Sequence, residues 1–499
     1  MNQRTSFLAQ LVALVGLLVV AAQPTNAQLI SLKTVPVATG DQFLQFPSHN
    51  LGMGSVGIAI DDSVADPFSN PAKGSRIGES HVFVSPTYYS VSDEAGSAGA
   101  LPVGVLFKSS RVFGGGMVSL QQVKQGDWFR RWWGVPDVLP PNALRSKSAT
   151  NKYAFLTLGA VLPGDVAVGV STYLADFNAI DGVEHLYANS AAIEQSGDLK
   201  AVRLGAVKAF EGDRTLEGLV LYRRFHMQHD VTYVDWLPVD TVTWQQDFAV
   251  REEENLDVTD TWGVHLGYVQ PIGTHGWRIG GTLTGNWKSH PKIPNYEIMN
   301  IPRDPGNSTA FDVGVGIAKV VGPTTFGIDI VYEPGSSDTW AEAEGPVETV
   351  SGDTIQTGEK TVENAFSFSN AFVNFGVTRK VGPAAFQFGL GLRSYDYHLD
   401  QWDNVAEDTR REDEQWMEWV PSWGARVSLG DLELRYAGRI TTGTGRPGVG
   451  WRGGGWLEAD VAAPASMGGN DILLAPSGAL TLDDVRVMTH QLSISVPIR

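Results

Sequence analysis

The chain has 499 residues, no cysteine, 37 Lys+Arg against 55 Asp+Glu and a formal net charge of −18. Without thiols there is neither a disulfide nor a thiolate metal site, and the acidity argues against nucleic acid as a partner, since that polyanion attracts Lys/Arg-rich faces. Charged residues are 18 % of the chain and glycine reaches 56, against roughly 25 % charge and 7 % Gly in soluble domains, so an ordinary soluble multidomain protein fits poorly.

From the amino end, Arg4 gives a positive start, Leu8 to Ala22 form an apolar run, and Thr25-Asn26-Ala27 offers small residues for cleavage before Gln28. This is the pattern of a secretory signal peptide, too short with these flanks for a spanning helix. Residues 1–27 are set aside on that basis. Removing them takes away one charge, Arg4, and moves the net charge from −18 to −19. Residues 28–79 follow as a hatch-like or periplasmic segment. Its middle, LGMGSVGIAIDDSVADPFSNPAK (51–73), is rich in Gly and Ala, carries the pair Asp61-Asp62 and ends in Asn70-Pro71-Ala72.

From residue 80 to 499 the dominant signal is dyad alternation over long runs. In FQFGLGLRSYDY, Phe386, Phe388, Leu390 and Leu392 oppose Gln387, Gly389, Gly391 and Arg393. In TAFDVGVGIAKV, Phe311, Val313, Val315 and Ile317 oppose Asp312, Gly314 and Gly316, and Leu492 to Ile498 repeats the pattern. A period of two predicts strands with one apolar and one polar face. Runs of about 10–12 residues exceed the usual ~5–6 and match the ~9–11 that a tilted strand needs to cross a bilayer.

Tight turns are predicted at 108–111, 163–165, 211–213, 273–276, 322–323, 382–383 and 430–431, where Gly, Pro, Asp or Ser supply the turn chemistry. Between them lie long polar stretches at 123–151, 177–199, 228–260, 289–308, 334–364 and 400–415, and another follows Thr442. Alternating short and long connections are the layout of an outer-membrane barrel. The fold class is therefore all-β: a transmembrane antiparallel barrel of about 14–16 strands, placed in a bacterial outer membrane among lipid and lipopolysaccharide.

Chemistry-bearing motifs are few. There is no HExxH, GxSxG or GxxxxGK[ST], and the GxGxxG of Gly443–Gly448 contains Pro447 and reads as loop. His226 and His229 are two candidate ligands without a third. No catalytic residue, metal site or cofactor is assigned, and the chain is read as a non-enzyme. Arg251–Asp260 holds five acids to one base and Asp400–Glu418 eight to two, read as solvated loops or as divalent-cation sites shared with lipopolysaccharide. The run Trp128, Phe129, Arg130, Arg131, Trp132 and Trp133 reads either as a site capturing an amphiphile or as part of an interfacial girdle. Trp402, Trp416 and Trp419 are assigned to one face with the same two readings.

The stretch Phe43–Gly74 resembles the N-terminal signature of the FadL superfamily, both the long-chain fatty acid transporters and the PorV/PorQ-type barrels. The likeness rests on Gly52-Met53-Gly54, the apolar Val56–Ala59, Asp61-Asp62 and Asn70-Pro71-Ala72, with Lys73 leaning towards the PorV-like branch. The resemblance implies that the segment folds back into the barrel as a hatch. The alternative is an ordinary periplasmic turn with a short helix opened at Asp62 or Ser63. The chain departs from the family in a strand count nearer sixteen than fourteen and in ending on Arg499. The function expected is passive passage of hydrophobic or amphipathic compounds. The alternative is a PorV-like accessory that binds secreted proteins or secretion-machinery proteins in type IX secretion.

Overall fold

The computed structural model describes residues 29–125, 148–183, 190–236, 248–273, 275–290, 305–446 and 483–498. Its main sheet has seventeen strands in which sequence neighbours pair antiparallel all the way round, and the last strand, Asp483–Pro497, returns to the first. The first stave is split into His81–Val84 and Thr87–Val91, because Pro86 has no amide hydrogen for the ladder. The register continues across the break, with Val84 opposite Ile494 and Thr87 opposite Gln491. Counting the two pieces as one stave, the barrel has sixteen.

One end is closed by the tight turns that Gly, Pro and Asp predict. Val321 pairs with Thr324 around Gly322-Pro323, Val381 with Ala384 around Gly382-Pro383, and Leu429 with Leu432 around Gly430-Asp431. In each pair the leading glycine has φ between 55° and 61°, as a two-residue hairpin following the sheet twist requires. The three-residue turns 163–165 and 211–213 use Gly164, Asp165, Gly212 and Asp213 at positive φ. The first and last strands also meet at this end, where His81 lies opposite Pro497.

The other end departs from the sequence reading. Much of what reads as long polar loop is strand: Ser190–Phe210, Arg214–Trp236, Phe248–Ile272, Lys360–Val381, Ala384–Asp403 and Asp408–Leu429 run 20 to 25 residues. The acidic run Arg251–Asp260 is therefore strand, and 404–407 is only a four-residue turn. Above the bilayer a stave has no lipid on its outer side, so nothing forces apolar alternation there. Gly443–Arg446 likewise belongs to the strand Leu432–Arg446, with a register shift between Thr441 and Thr444. Within 343–359, Val347–Glu348 and Thr354–Ile355 form a separate two-stranded ribbon.

Faces sort as the dyad pattern predicts. Val313, Val315 and Phe388 are 48, 52 and 64 % exposed, whereas Asp312 and Arg393 are 4 and 9 % exposed on the inner face. No described helix is long and apolar enough to cross a membrane; the strands do the crossing. A closed antiparallel barrel of even stave number, tight turns at one end and an apolar outer belt is an outer-membrane architecture, with the tight turns on the periplasmic side. Val315→Arg, near the middle of the belt segment Phe311–Ile317, should therefore cost about 2–4 kcal/mol of folding stability, measured by refolding into lipid vesicles. An unchanged value would show that this face does not meet lipid.

Candidate functional site: the plugged lumen

Residues 29–78 lie inside the barrel and contact the inner wall from one end to the other. Ile30 and Leu32 pack with Phe366, Phe368, Tyr397 and Leu399 towards the external end. Val37 makes a parallel bridge to Gly445. Further on, the chain reaches the periplasmic half, where the 3-10 turn Leu51–Met53 lies on the wall, followed by a short helix Asp66–Ser69 and a second 3-10 turn Pro71–Arg76. Short helical pieces leave much backbone to be satisfied from the wall. Asn286 accepts from Ile30 N at 2.8 Å, Ser422 from Gly54 N at 2.9 Å, and one oxygen of Asp329 from both Gly57 N and Ile58 N.

The inner wall answers the plug with glycine. A Cβ added at Gly280 would stand 2.6 Å from Ile58 O, one at Gly327 2.6 Å from Val56, and one at Gly169 2.7 Å from the Pro71 carbonyl carbon. Cβ atoms at Gly376, Gly389 and Gly205 would overlap Met53, Gly54 and Asn70. The small residues on the inward face of the dyad pattern are the footprint of the plug.

The signature residues have distinct places. Gly52 lies on Gly424, Met53 is buried under Thr378, and Gly54 (φ 73°) ends the first 3-10 turn. Asp62 is 2 % exposed and accepts from Ser48 Oγ and His49 N at 2.7 Å and from Val64 N and Ala65 N. It is a knot that folds the plug on itself. Asp61 pairs with Arg76 at 2.7 Å and with Arg278 of the wall at 3.0 Å. Arg393, on the inner wall, pairs with neither aspartate but with Glu418, which also holds Lys33 of the plug. Asn70 accepts from Ala72 N at 3.1 Å and donates to Glu217 at 3.1 Å, while Pro71 begins the second 3-10 turn and Ala72 is fully buried.

Other tethers had no local signal in the sequence. Lys73 reaches Glu217 at 2.9 Å and Asp66 at 3.6 Å. Arg439 Nε donates to Asp41 at 3.2 Å. Arg446, fully buried, donates to both Asp181 oxygens at 3.0 Å and to Ala38 O at 2.9 Å. It joins the plug to two external connections, since it also donates to Ala95 O. A charge at an inward position of an apolar run, as Glu217 is within Leu216–Leu221, is the one hint that could have been read.

Between plug and wall lies a cavity of about 250 Å³. Phe43, Phe46, Tyr173 and Leu199 form its apolar side. Its charged lining comprises six carboxylates, Asp62, Asp66, Glu217, Asp312, Asp329 and Glu333, against three cations, Lys73, Arg203 and Arg223. A second cavity of about 160 Å³ lies nearer the periplasmic end, lined by His49, Met53, Gln387 and Arg435 among others.

The remaining sequence candidates do not join this site. Trp128–Trp133 lie outside the described residues. His226 and His229, three apart on the strand Arg214–Trp236, point to opposite faces: His229 is buried inward, and His226 lies 3.9 Å from Asp198. They cannot share a metal, and among the described residues no group of three or more His, Asp or Glu could hold one. Trp402 and Trp419 are exposed, but Trp416 stacks on Tyr395 at 5.0 Å. Odd spacing separates Trp416 from Trp419, so the three do not form one face.

No family model matches the chain, and no curated protein sequence does. Among solved structures, the toluene transporter TbuX of Ralstonia pickettii aligns over 92 % of this chain and 100 % of its own, at 10 % identity and a TM-score of 0.40. A FadL homologue of Pseudomonas aeruginosa aligns over 95 % and 99 %, also at 10 % identity and 0.40. The Pseudomonas putida toluene transporter TodX aligns over 94 % and 99 %, at 8 % identity and 0.38. Function is therefore read from the residues of the lumen.

Gly389→Val should displace the plug while the barrel still forms. Ion conductance in planar bilayers should rise, with heat-modifiable gel mobility retained; unchanged conductance would mean that the contact does not hold the plug. Plug docking should also depend on pH through Asp66. Its burial is the largest cause of a pKa raised to about 7, opposed by Lys73 and reinforced by Asp62, Glu217 and Asp61. Released, the group returns to about 4. Docking is thus favoured by this group fully below about 4 and loses that contribution as pH rises through 7. Conductance should increase over that window, and Asp66→Asn should flatten the increase.

Proposed function

We propose that the protein passes small amphipathic compounds passively across the outer membrane, through the lumen and past the plug, with no covalent step. The observation that carries this reading is the 250 Å³ cavity between plug and wall, which carries aromatic and charged sides together. Such a chamber suits a solute with an apolar body and a polar end. The plug supports the same reading: a sixteen-stave barrel is wide enough for water unless filled, and this one is filled by a segment held through separable polar tethers. Trp128–Trp133 would then serve as an external capture site, with its rings on the apolar body of the solute.

Expression in a porin-depleted bacterium should raise uptake of small aromatic and alkyl amphiphiles over an uninduced control. Trp132→Ala with Trp133→Ala should lower uptake without loss of assembly, and deleting residues 28–73 should raise general conductance. Uptake no higher than the control, from a protein correctly placed in the outer membrane, would end the reading.

A further inference from the structure

The main cavity is not evenly charged. Its cations are engaged: Lys73 lies between Glu217 and Asp66, and Arg203 donates to the carbonyls of Phe68 and Ser69. Arg223 lies over the Phe43 ring at 5.8 Å from its centroid. Of the acids, Asp62 is saturated by plug donors, and Asp66 and Glu217 face Lys73. Three carboxylates remain, all on two adjacent staves, Gly306–Val321 and Thr324–Glu342.

Asp312, Asp329 and Glu333 are 4, 3 and 5 % exposed. The register Ala310↔Gly335 and Val313↔Tyr332 sets Asp312 beside Glu333 on the inner face. Asp312 Oδ1 and Asp329 Oδ1 have no hydrogen-bond partner, although both residues line the cavity. Asp329, opposite Gly316 and four residues along its stave from Glu333, uses its other oxygen on Gly57 N and Ile58 N and stands apart as a tether of the plug. The charges that reach Glu333 are those of Lys288, which donates to Ile30 O at 2.8 Å, and Arg393, which pairs with Glu418. Unpaired oxygens on buried acids carry a desolvation cost that a positively charged donor would remove. The same cavity offers Ile58 and Val331 beside the acids and Phe43, Phe46 and Tyr173 across from them.

We infer that this is a subsite for the ammonium group of an organic amine, held by Asp312 and Glu333 with its apolar body against the aromatic side. This rests on the passage reading above and names the class of solute that the cavity selects: amphipathic cations over anions of the same shape. An ammonium supplies up to three donors, enough for both carboxylates, and aromatic faces suit both its apolar body and its charge.

The test is equilibrium dialysis of the full-length protein in a nonionic detergent against benzylammonium, benzoate, benzyl alcohol and calcium. Benzylammonium should bind saturably and about tenfold or more tightly than benzoate or benzyl alcohol. Asp312→Asn should reduce its binding by a similar factor while heat-modifiable mobility is kept. Glu333→Gln provides a second variant should the first fail to assemble. Equal binding of benzoate, no effect of either assembled variant, or saturable calcium binding without benzylammonium binding would each overturn the assignment. Uptake of amphiphiles without charge preference would leave the passage reading standing and remove this one; benzylammonium binding without any uptake would do the reverse.

Discussion

The structure depends on a contact of backbone against backbone. A sixteen-stave barrel encloses a lumen too wide for its own side chains to fill. Here it is filled by some fifty residues whose helices are short. An irregular segment can lie flat on a strand only where the strand has no Cβ, and wall glycines stand at those places, under Met53, Gly54, Val56, Ile58 and Asn70. The wall must also receive the segment's amides and carbonyls, and neutral side chains share this task with Asp329, Arg203 and Lys288. Gln387 donates to His49 O, Gln491 to Phe46 O and Gln121 to Gln42 O, while Asn286 and Ser422 accept from plug amides. An open water channel would need neither the glycines nor the amides.

Charge is used in two ways inside this barrel. At Lys33–Glu418, Lys73–Glu217, Asp41–Arg439 and Asp61–Arg278 one partner is on the plug and the other on the wall. Such pairs add little net stability when buried, but removing one member leaves the other uncompensated. They therefore fix where the plug sits more than how tightly the barrel folds. Arg446 with Asp181 acts likewise at the external end, joining elements 265 residues apart in sequence. Asp312 and Glu333 differ, because the cations that Glu333 feels, Lys288 and Arg393, are on the wall and not on the plug. That contrast separates acids that position the plug from acids that face the space beside it.

The sequence made the barrel legible because lipid imposes a rule at every second residue. Val313, Val315 and Phe388 had to be apolar and Gly or polar residues had to alternate with them, so stave, face and turn could be read together. The same rule explains the misreading of Arg251–Asp260 and Asp400–Glu418, which are strands whose outer side faces water. In the plug, Asn70-Pro71-Ala72 was legible because its hydrogen bond from Ala72 N is local. The partner of Asp61 was not: Arg278 lies 217 residues away and is brought near by barrel closure alone. A distance in topology leaves no spacing in the chain.

Stave length carries the last step. A tilted strand crosses the bilayer in roughly 9–11 residues, yet Phe248–Ile272 has 25 and Arg214–Trp236 has 23. At about 3.3 Å per residue, roughly half of each stands outside the membrane as a wall. That wall carries Glu252, Glu253, Glu254, Asp257 and Asp260, and the neighbouring arc of the lumen holds Asp312 and Glu333 lower down. Negative charge thus stands first at the rim and again beside the plug. Low-dielectric walls focus such a field and raise the local concentration of cations. Part of the acidity of the chain is thus placed at the rim and beside the plug rather than in loops alone.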